Sequence, residues 1–173
     1  MAGPLKLGAQ ALAVMGVGIL ASLLGWNLTH QTPPPKVGAP APAFSLHRLT
    51  GDGDLSLRSF RGKTVVLNFF ASWCGPCRRE AVLLSRAAKQ QRGRVVFLAA
   101  AVHDYIPDAK RFLRAQRLPF AAVTAPATLV RSFGLIGLPE TFFLDARGRV
   151  RTAARGELTA SELARGLRRL GGR

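Results

Sequence analysis

The sequence predicts an α/β sandwich in which helices flank a mixed β-sheet. Residues 64–70 and 95–102 are apolar without polar alternation, which is typical of central strands covered on both faces. A helix-compatible segment separates these runs. Two short apolar segments then enclose the turn at 145–148, and an amphipathic segment closes the chain. A β-α-β unit followed by a β-hairpin and a helix gives a sheet with parallel and antiparallel neighbours.

Local patterns predict the individual elements in chain order. We predict two short strands over residues 43–49 and 55–57, joined by the glycine-rich turn at 51–53. A helix over 76–91 tolerates its proline because that proline lies in the first turn. Thr159 and Glu162 have the spacing of a capping box. The remaining predicted elements are helices over 107–116, 126–133 and 159–170 and strands over 141–144 and 150–153.

The amino-terminal segment is apolar over residues 7–26, where only Gln10 and Ser22 are polar. About 20 apolar residues are the length with which a helix crosses a bilayer core. We therefore expect an uncleaved signal-anchor over residues 1–28, acting as an N-terminal transmembrane helix. A cleaved signal peptide is the alternative, although it requires a shorter apolar run and a small-x-small cleavage site.

A triple proline follows at residues 33–35 and indicates a semi-rigid spacer over residues 29–42. The folded domain is expected over residues 43–173. With a signal-anchor ahead of it, this domain lies outside the cytoplasm, where a disulfide is chemically permitted.

The chain is strongly basic, with 25 Lys and Arg against 9 Asp and Glu and a formal net charge of +16. Three interpretations are open: a nucleic-acid surface, attraction to anionic lipids or acidic partners, and a solvated arginine-rich surface. A location outside the cytoplasm argues against nucleic acid. Among the other two, the solvated surface is the simpler interpretation.

The two cysteines of the chain, Cys74 and Cys77, lie three positions apart, directly after the strand at 64–70. Two thiols one helical turn apart predict a dithiol–disulfide exchange centre. Cys74 falls at the start of a helix, where unpaired N–H groups and the positive dipole end favour a thiolate. We therefore expect Cys74 to attack a client disulfide and Cys77 to resolve the mixed disulfide.

Other roles for the cysteine pair are weaker. A purely structural disulfide would close so small a loop that it removes little entropy from the unfolded chain. A zinc site needs about four ligands, and His30, His47 and His103 show no ligand spacing. No resident metal is predicted. A transient Cu(I) complex of the two thiols remains an alternative, since thiolates suit soft metals.

Two segments carry a family resemblance. Residues 65–80, VVLNFFASWCGPCRRE, resemble the active-site region of the membrane-anchored, thioredoxin-like TlpA/ResA/DsbE (CcmG) family. Residues 134–145, GLIGLPETFFLD, are similar to that family's cis-proline loop and the strand after it. The resemblance covers about residues 38–170. It implies a thioredoxin-like fold with an N-terminal β extension, and a thiol:disulfide oxidoreductase that needs no cofactor.

The resemblance also implies a substrate platform. The Leu138–Pro139 peptide would be cis and would pack beside the disulfide. Proline cannot donate to a ladder, which leaves the Leu138 backbone free to pair with a substrate strand. Trp73 precedes the first cysteine and is expected to cover one side of the disulfide as a binding surface, with simple packing as the alternative.

Glu80 is the candidate acid/base. It lies three positions beyond Cys77 and therefore near the same helical face. Cytoplasmic thioredoxins, which this chain resembles, carry a buried Asp where Asn68 stands, and Asn68 cannot take a proton. The TlpA/ResA group uses a glutamate at the place of Glu80. The alternative is a solvated glutamate that pairs with Arg78 or Arg79.

The family implies partners as well. Client protein disulfides are expected, with apocytochrome c or copper-site assembly proteins as candidates, together with a transmembrane thiol electron donor of the DsbD/CcdA type. The Gly-Pro pair between the cysteines favours a reducing poise. The expected location is the bacterial inner membrane, with the domain facing the periplasm. Alternative functions are Cu(I) handling, reduction of a cytochrome oxidase assembly factor, general periplasmic disulfide exchange, and a cargo-binding fold with an incidental disulfide.

Overall fold

The computed structural model describes residues 4–29 and 33–171. The chain divides into two compact units, residues 1–32 and residues 33–173. The first unit contains helix α1, Pro4–Thr29. We expected a membrane-spanning helix here, and the structure does not support that prediction: within residues 4–29 and 33–171, no helix is long and apolar enough to cross a bilayer.

The second unit is built on a five-stranded mixed sheet flanked by helices. The strands of the sheet are β3 (Thr64–Phe70), β4 (Val95–Val102), β5 (Ala121–Ala125), β6 (Glu140–Leu144) and β7 (Val150–Arg155), and the helices are α2 (Gly75–Gln90), α3 (Ile106–Ala115), α4 (Ala127–Ser132) and α5 (Ala160–Gly171). The strand order is β5-β4-β3-β6-β7. Strands β3, β4 and β5 are parallel, whereas β6 runs antiparallel to both β3 and β7. The predicted mixed sheet is confirmed.

The central strand β3 is buried from Val65 to Phe70, as its unbroken apolar run predicts. Helix α2 covers one face with Cys77, Ala81 and Leu84, all buried. On the other face, Phe69 packs against the rings of Phe133 and Phe142. The strand that leads into the cysteines is therefore held on both faces.

Strand β5 was not predicted. Its sequence, AAVTA, is alanine-rich, and alanine has a low preference for strands. The segment is extended because it pairs in parallel with β4, from Leu98 opposite Ala121 to Val102 opposite Ala125. Tertiary pairing, which local sequence does not encode, decides its conformation.

A two-stranded extension precedes the sheet, with β1 (Ser45–His47) paired antiparallel to β2 (Asp54–Ser56). Strand β1 is shorter than its predicted bounds. Strand β2 ends at Ser56 because Leu57 begins a 3-10 helix, Leu57–Phe60. The capping box at α5 is confirmed: the Glu162 N–H donates to Thr159 Oγ1 at 3.2 Å.

Part of the predicted spacer contacts the domain. Residues 30–32 of that spacer lie outside the described residues. Farther along, the Gly38 N–H donates to the Val150 carbonyl at 2.7 Å, and the Ala41 N–H donates to the Gly148 carbonyl at 2.9 Å. The second half of the spacer is therefore hydrogen-bonded to the β6–β7 hairpin.

Candidate active site

The cysteine pair lies at the amino-terminal end of α2. Cys74 is the N-cap residue, and its Sγ accepts a hydrogen bond from the Cys77 N–H at 3.2 Å. The two cysteines form a disulfide with a Cα–Cα distance of 5.3 Å. Pro76 lies in the first turn, where helices tolerate proline. The predicted position of the first sulfur, at the positive end of the helix, is confirmed.

A cavity of about 470 Å³ opens beside the disulfide and defines what we call the apolar groove. Cys74 lines this groove, whereas Cys77 does not. Trp73 lies at the edge of this groove and is 64% exposed, which fits a binding surface better than core packing. The apolar groove is lined by Trp73, Cys74, Gly75, Pro76, Val102, His103, Val130 and Leu135–Leu138.

The segment that leads to Pro139, which we call the proline loop, forms one wall of the apolar groove with Leu135–Leu138. The Leu138–Pro139 peptide is cis, as the resemblance implied. Pro139 directly precedes β6, which pairs with β3 so that Glu140 lies opposite Phe69. Within the part of the chain that the structure describes, the Leu138 backbone makes no hydrogen bond, whereas the Pro139 carbonyl accepts one from the Gly156 N–H at 2.8 Å. The backbone of Leu138 is therefore open to a strand from a client.

The segment before Cys74 is fixed to the end of β4. Asp104 accepts two hydrogen bonds from Ser72, one from its N–H at 2.6 Å and one from its hydroxyl at 2.7 Å. The Trp73 indole N–H donates to the His103 carbonyl at 3.1 Å. The sequence predicted no role for Asp104. The only signal was a polar pair directly after a strand end, at the edge of the sheet where the cysteines also lie.

Glu80 is a buried carboxylate with two hydrogen-bond partners, Asn68 and Leu158. Its Oε1 accepts from Asn68 Nδ2 at 2.7 Å, and its Oε2 accepts from the Leu158 N–H at 2.9 Å. Asn68 Nδ2 also donates to Thr141 Oγ1 at 3.0 Å. Glu80 is 2% exposed, so the alternative of a solvated glutamate paired with Arg78 or Arg79 is wrong.

The pKa of Glu80 follows from this environment. Burial raises the pKa to about 7, because the charged form loses its hydration. The hydrogen bonds from Leu158 and Asn68 act in the opposite direction, and the negative charge of Glu157 raises the pKa further. A carboxyl group that titrates near neutral pH can both accept and release a proton under physiological conditions.

Glu140 is a second buried carboxylate, and the sequence predicted no role for it. Its Oε1 accepts from the N–H groups of Ile136 at 2.8 Å and Gly137 at 3.3 Å, so it holds the proline loop that lines the apolar groove. Its Oε2 is the one buried side-chain polar atom among the described residues that has no hydrogen bond, and it lies 3.7 Å from Arg155 Nε. The signal in the sequence was a charged residue directly after Pro139.

The described residues contain no cluster of three or more His, Cys, Asp or Glu side chains that could hold a metal ion.

A disulfide at a helix start, an apolar groove beside it and a proline loop opposite define a thioredoxin-like dithiol–disulfide exchange protein. A model of the Redoxin family matches residues 36–167. The chain therefore belongs to the Redoxin family, as a thiol:disulfide oxidoreductase of the ResA and DsbE kind.

Similar proteins agree with this placement. The chain is 30% identical over 137 residues to the thiol-disulfide oxidoreductase ResA of Bacillus thuringiensis subsp. konkukian, covering 78% of this chain and 79% of that protein. It is 32% identical over 158 residues to the thiol:disulfide interchange protein DsbE of Allochromatium vinosum, covering 87% and 86%. A crystal structure of a thiol:disulfide interchange protein of the thioredoxin family from Chlorobium tepidum TLS superimposes with a TM-score of 0.70, at 30% identity over 77% of this chain and 96% of that chain.

Asp104→Ala tests whether the loop before Cys74 depends on its anchor. The substitution leaves the Ser72 N–H and hydroxyl without their charged acceptor. We expect the free energy of unfolding of the oxidised protein to fall by about 1.5–3 kcal/mol, measured by denaturant titration. Asp108→Ala is the matched control, because it removes an exposed ion pair with Arg111 and an acidic residue from the first turn of α3, which together should cost at most about 1 kcal/mol. Equal losses in the two variants would show that Asp104 is no more than a surface carboxylate.

Proposed function

We propose that this protein is a membrane-tethered reductant of client protein disulfides in the periplasm, acting in cytochrome c biogenesis. The observation that carries the proposal is the disulfide at the start of α2, whose outer cysteine, Cys74, lines an apolar groove beside Leu138. A client strand that pairs with the open Leu138 backbone would bring its own disulfide to Cys74. The reducing direction is supported by the Gly75-Pro76 pair between the cysteines.

The reaction exchanges one disulfide for another. In the reduced protein, the Cys74 thiolate attacks one sulfur of the client disulfide, which forms a mixed disulfide and releases the other client sulfur as a thiolate. The Cys77 thiolate then attacks Cys74 Sγ, which releases the second client sulfur and closes the Cys74–Cys77 disulfide. The client gains two electrons and two protons. A dithiol donor of the transmembrane DsbD/CcdA type returns the two electrons to this protein.

Glu80 is proposed to manage the protons of this exchange. It lies one helical turn beyond Cys77, and burial brings its pKa to about 7. Its side chain is fixed by Asn68, so the carboxylate keeps one orientation while the sulfurs change partners. A neighbouring carboxylate raises a thiol pKa when it is ionised and can take the proton that the thiol loses.

The client assignment rests on the sequence of the proline loop. Its Pro-Glu-Thr form, residues 139–141, resembles the DsbE branch, which serves cytochrome c maturation, whereas the Gly75-Pro76 pair is more like general TlpA proteins and thioredoxin. Glu140 does not itself line the apolar groove, but it accepts a hydrogen bond from the N–H of Ile136, which does. The membrane tether is supported by the exposed apolar side chains of α1, among them Leu12, Val14, Val17, Leu20 and Leu23.

Cys77→Ser tests the exchange reaction and the client together. The variant can form the mixed disulfide but cannot resolve it, so the full-length protein should be recovered from cells covalently bound to its client through Cys74. Alkylation of the lysate followed by non-reducing purification and mass spectrometry identifies the adduct. Apocytochrome c among the adducts is the expected result.

Cys74→Ser is the control for this trap and should yield no such adducts. Equal adducts in the two variants would contradict the assignment of Cys74 as nucleophile, and adducts restricted to copper-site proteins would contradict the cytochrome c pathway. Retention of one Cu(I) per chain by the wild type without any disulfide reduction would favour copper handling instead.

Glu80→Gln tests the proton role. Above pH 7 Glu80 is ionised in the wild type, and its charge disfavours the nearby thiolate. Because Gln carries no charge, the alkylation rate profile of the reduced variant should shift to lower pH by on the order of one unit. The exposed carboxylate Asp52 offers the control, Asp52→Asn, which should follow the wild type. Superimposed profiles for Glu80→Gln and wild type would exclude the proton role.

The tether is tested by carbonate extraction of bacterial membranes. We expect the full-length protein to stay in the membrane pellet, because apolar side chains such as Leu20 and Leu23 of α1 favour lipid over water. A Leu20→Lys, Leu23→Lys double variant should be released to the supernatant. Labelling of the reduced protein by a membrane-impermeant maleimide in spheroplasts should confirm the periplasmic side. Extraction of the wild type by carbonate would contradict the tether.

A further inference from the structure

A second cavity, of about 350 Å³, shares Trp73 with the apolar groove. We call it the basic cavity, because arginines from two helices line it: Arg78 of α2 and Arg111 of α3. The other lining residues are Ser72, Trp73, Asp108, Phe112, Ala115 and Gln116. The established exchange chemistry and the proposed client strand both use the apolar groove and leave this cavity without a role.

Trp73 is the one residue that lines both cavities. Its indole N–H donates to the His103 carbonyl, which orients the ring. The backbone N–H of the neighbouring Ser72 donates to Asp104, which fixes the chain just before the ring. Because the ring is 64% exposed and precedes Cys74 directly, it forms a ridge next to the reacting sulfur. A polypeptide that presents its cysteine to Cys74 would extend over this ridge.

The charges of the basic cavity do not cancel among its lining residues. Arg111 Nη1 lies 2.7 Å from Asp108 Oδ1, which pairs those two side chains. Arg78 has no carboxylate partner among the described residues, and its guanidinium donates to the Ser72 carbonyl at 3.2 Å. Asp104 does not line the cavity, and both of its oxygens accept from Ser72. One positive charge therefore remains for a ligand.

We propose that the basic cavity is a specificity subsite that takes an acidic side chain of the client, on one side of the client cysteine, while the apolar groove takes an apolar side chain on the other side. This inference rests on the proposed function, since it names the class of client that the same site selects. Arg78 is the residue that would form an ion pair with the acidic side chain of the client. The net charge of the whole chain, +16, attracts acidic clients from a distance.

The test uses short peptides in which one cysteine carries a neutral 2-thiopyridyl disulfide, with Leu on one side and Glu, Gln or Lys on the other, in both orders. The reduced full-length protein attacks the peptide sulfur and releases pyridine-2-thione, a better leaving group than the peptide thiolate. The second-order rate constants for the Glu and Lys peptides give a ratio in which the intrinsic reactivity of Cys74 cancels. We expect this ratio to exceed one in one of the two orders.

Arg78→Gln should lower the Glu-to-Lys ratio about three-fold, as an exposed charge pair allows, and Arg78→Glu should invert it. Arg86→Gln is the matched control: Arg86 is also an exposed arginine on α2, it lines neither cavity, and its loss changes the net charge equally. A Glu-to-Lys ratio of one, or equal effects of the Arg78 and Arg86 substitutions, would overturn the subsite. Failure of the wild type to reduce even neutral dithiodipyridine would instead overturn the proposed function.

Discussion

The buried carboxylate of Glu80 is the interaction on which the arrangement of the site depends. A carboxyl group that is 2% exposed must find hydrogen bonds inside the protein. Glu80 finds them from Asn68 of β3 and from the Leu158 N–H ahead of α5, and Asn68 in turn binds Thr141 of β6. The helix with the cysteines and the strand after the proline loop are thereby joined through one polar network in the centre of the sheet.

The surroundings of the disulfide divide into two kinds of environment. On the side of the apolar groove, side chains such as Val102, Val130 and Leu135 surround the outer cysteine with apolar surface. In the basic cavity, which Trp73 also lines, Arg78 provides a positive charge. Apolar contacts contribute binding energy in proportion to buried area, whereas charges contribute mainly selectivity and association rate. The two cavities can therefore contribute to different properties of one client complex.

The sequence predicted the features that rest on local patterns. The apolar runs predicted β3 and β4, the cysteine spacing predicted the disulfide, and the resemblance of the loop predicted the cis Leu138–Pro139 peptide. The features that it missed depend on distant partners. The strand at 121–125 exists because β4 lies beside it, and Asp104 acts on Ser72, which is 32 positions away. Nothing in the sequence around a single residue encodes such a partner.

The antiparallel pairing of β3 with β6 has a consequence for how this protein can change in evolution. Cys74 follows the end of β3, Pro139 precedes β6, and their neighbours Phe69 and Glu140 are in register. One residue gained or lost in either strand would turn every following side chain to the opposite face of the sheet. The β1–β2 turn tolerates changes in length far more readily. The loop between β4 and α3 does not, because its Asp104 and His103 hold Ser72 and Trp73. New clients can therefore be acquired by changing side chains around the site, while the lengths of these two strands must stay constant.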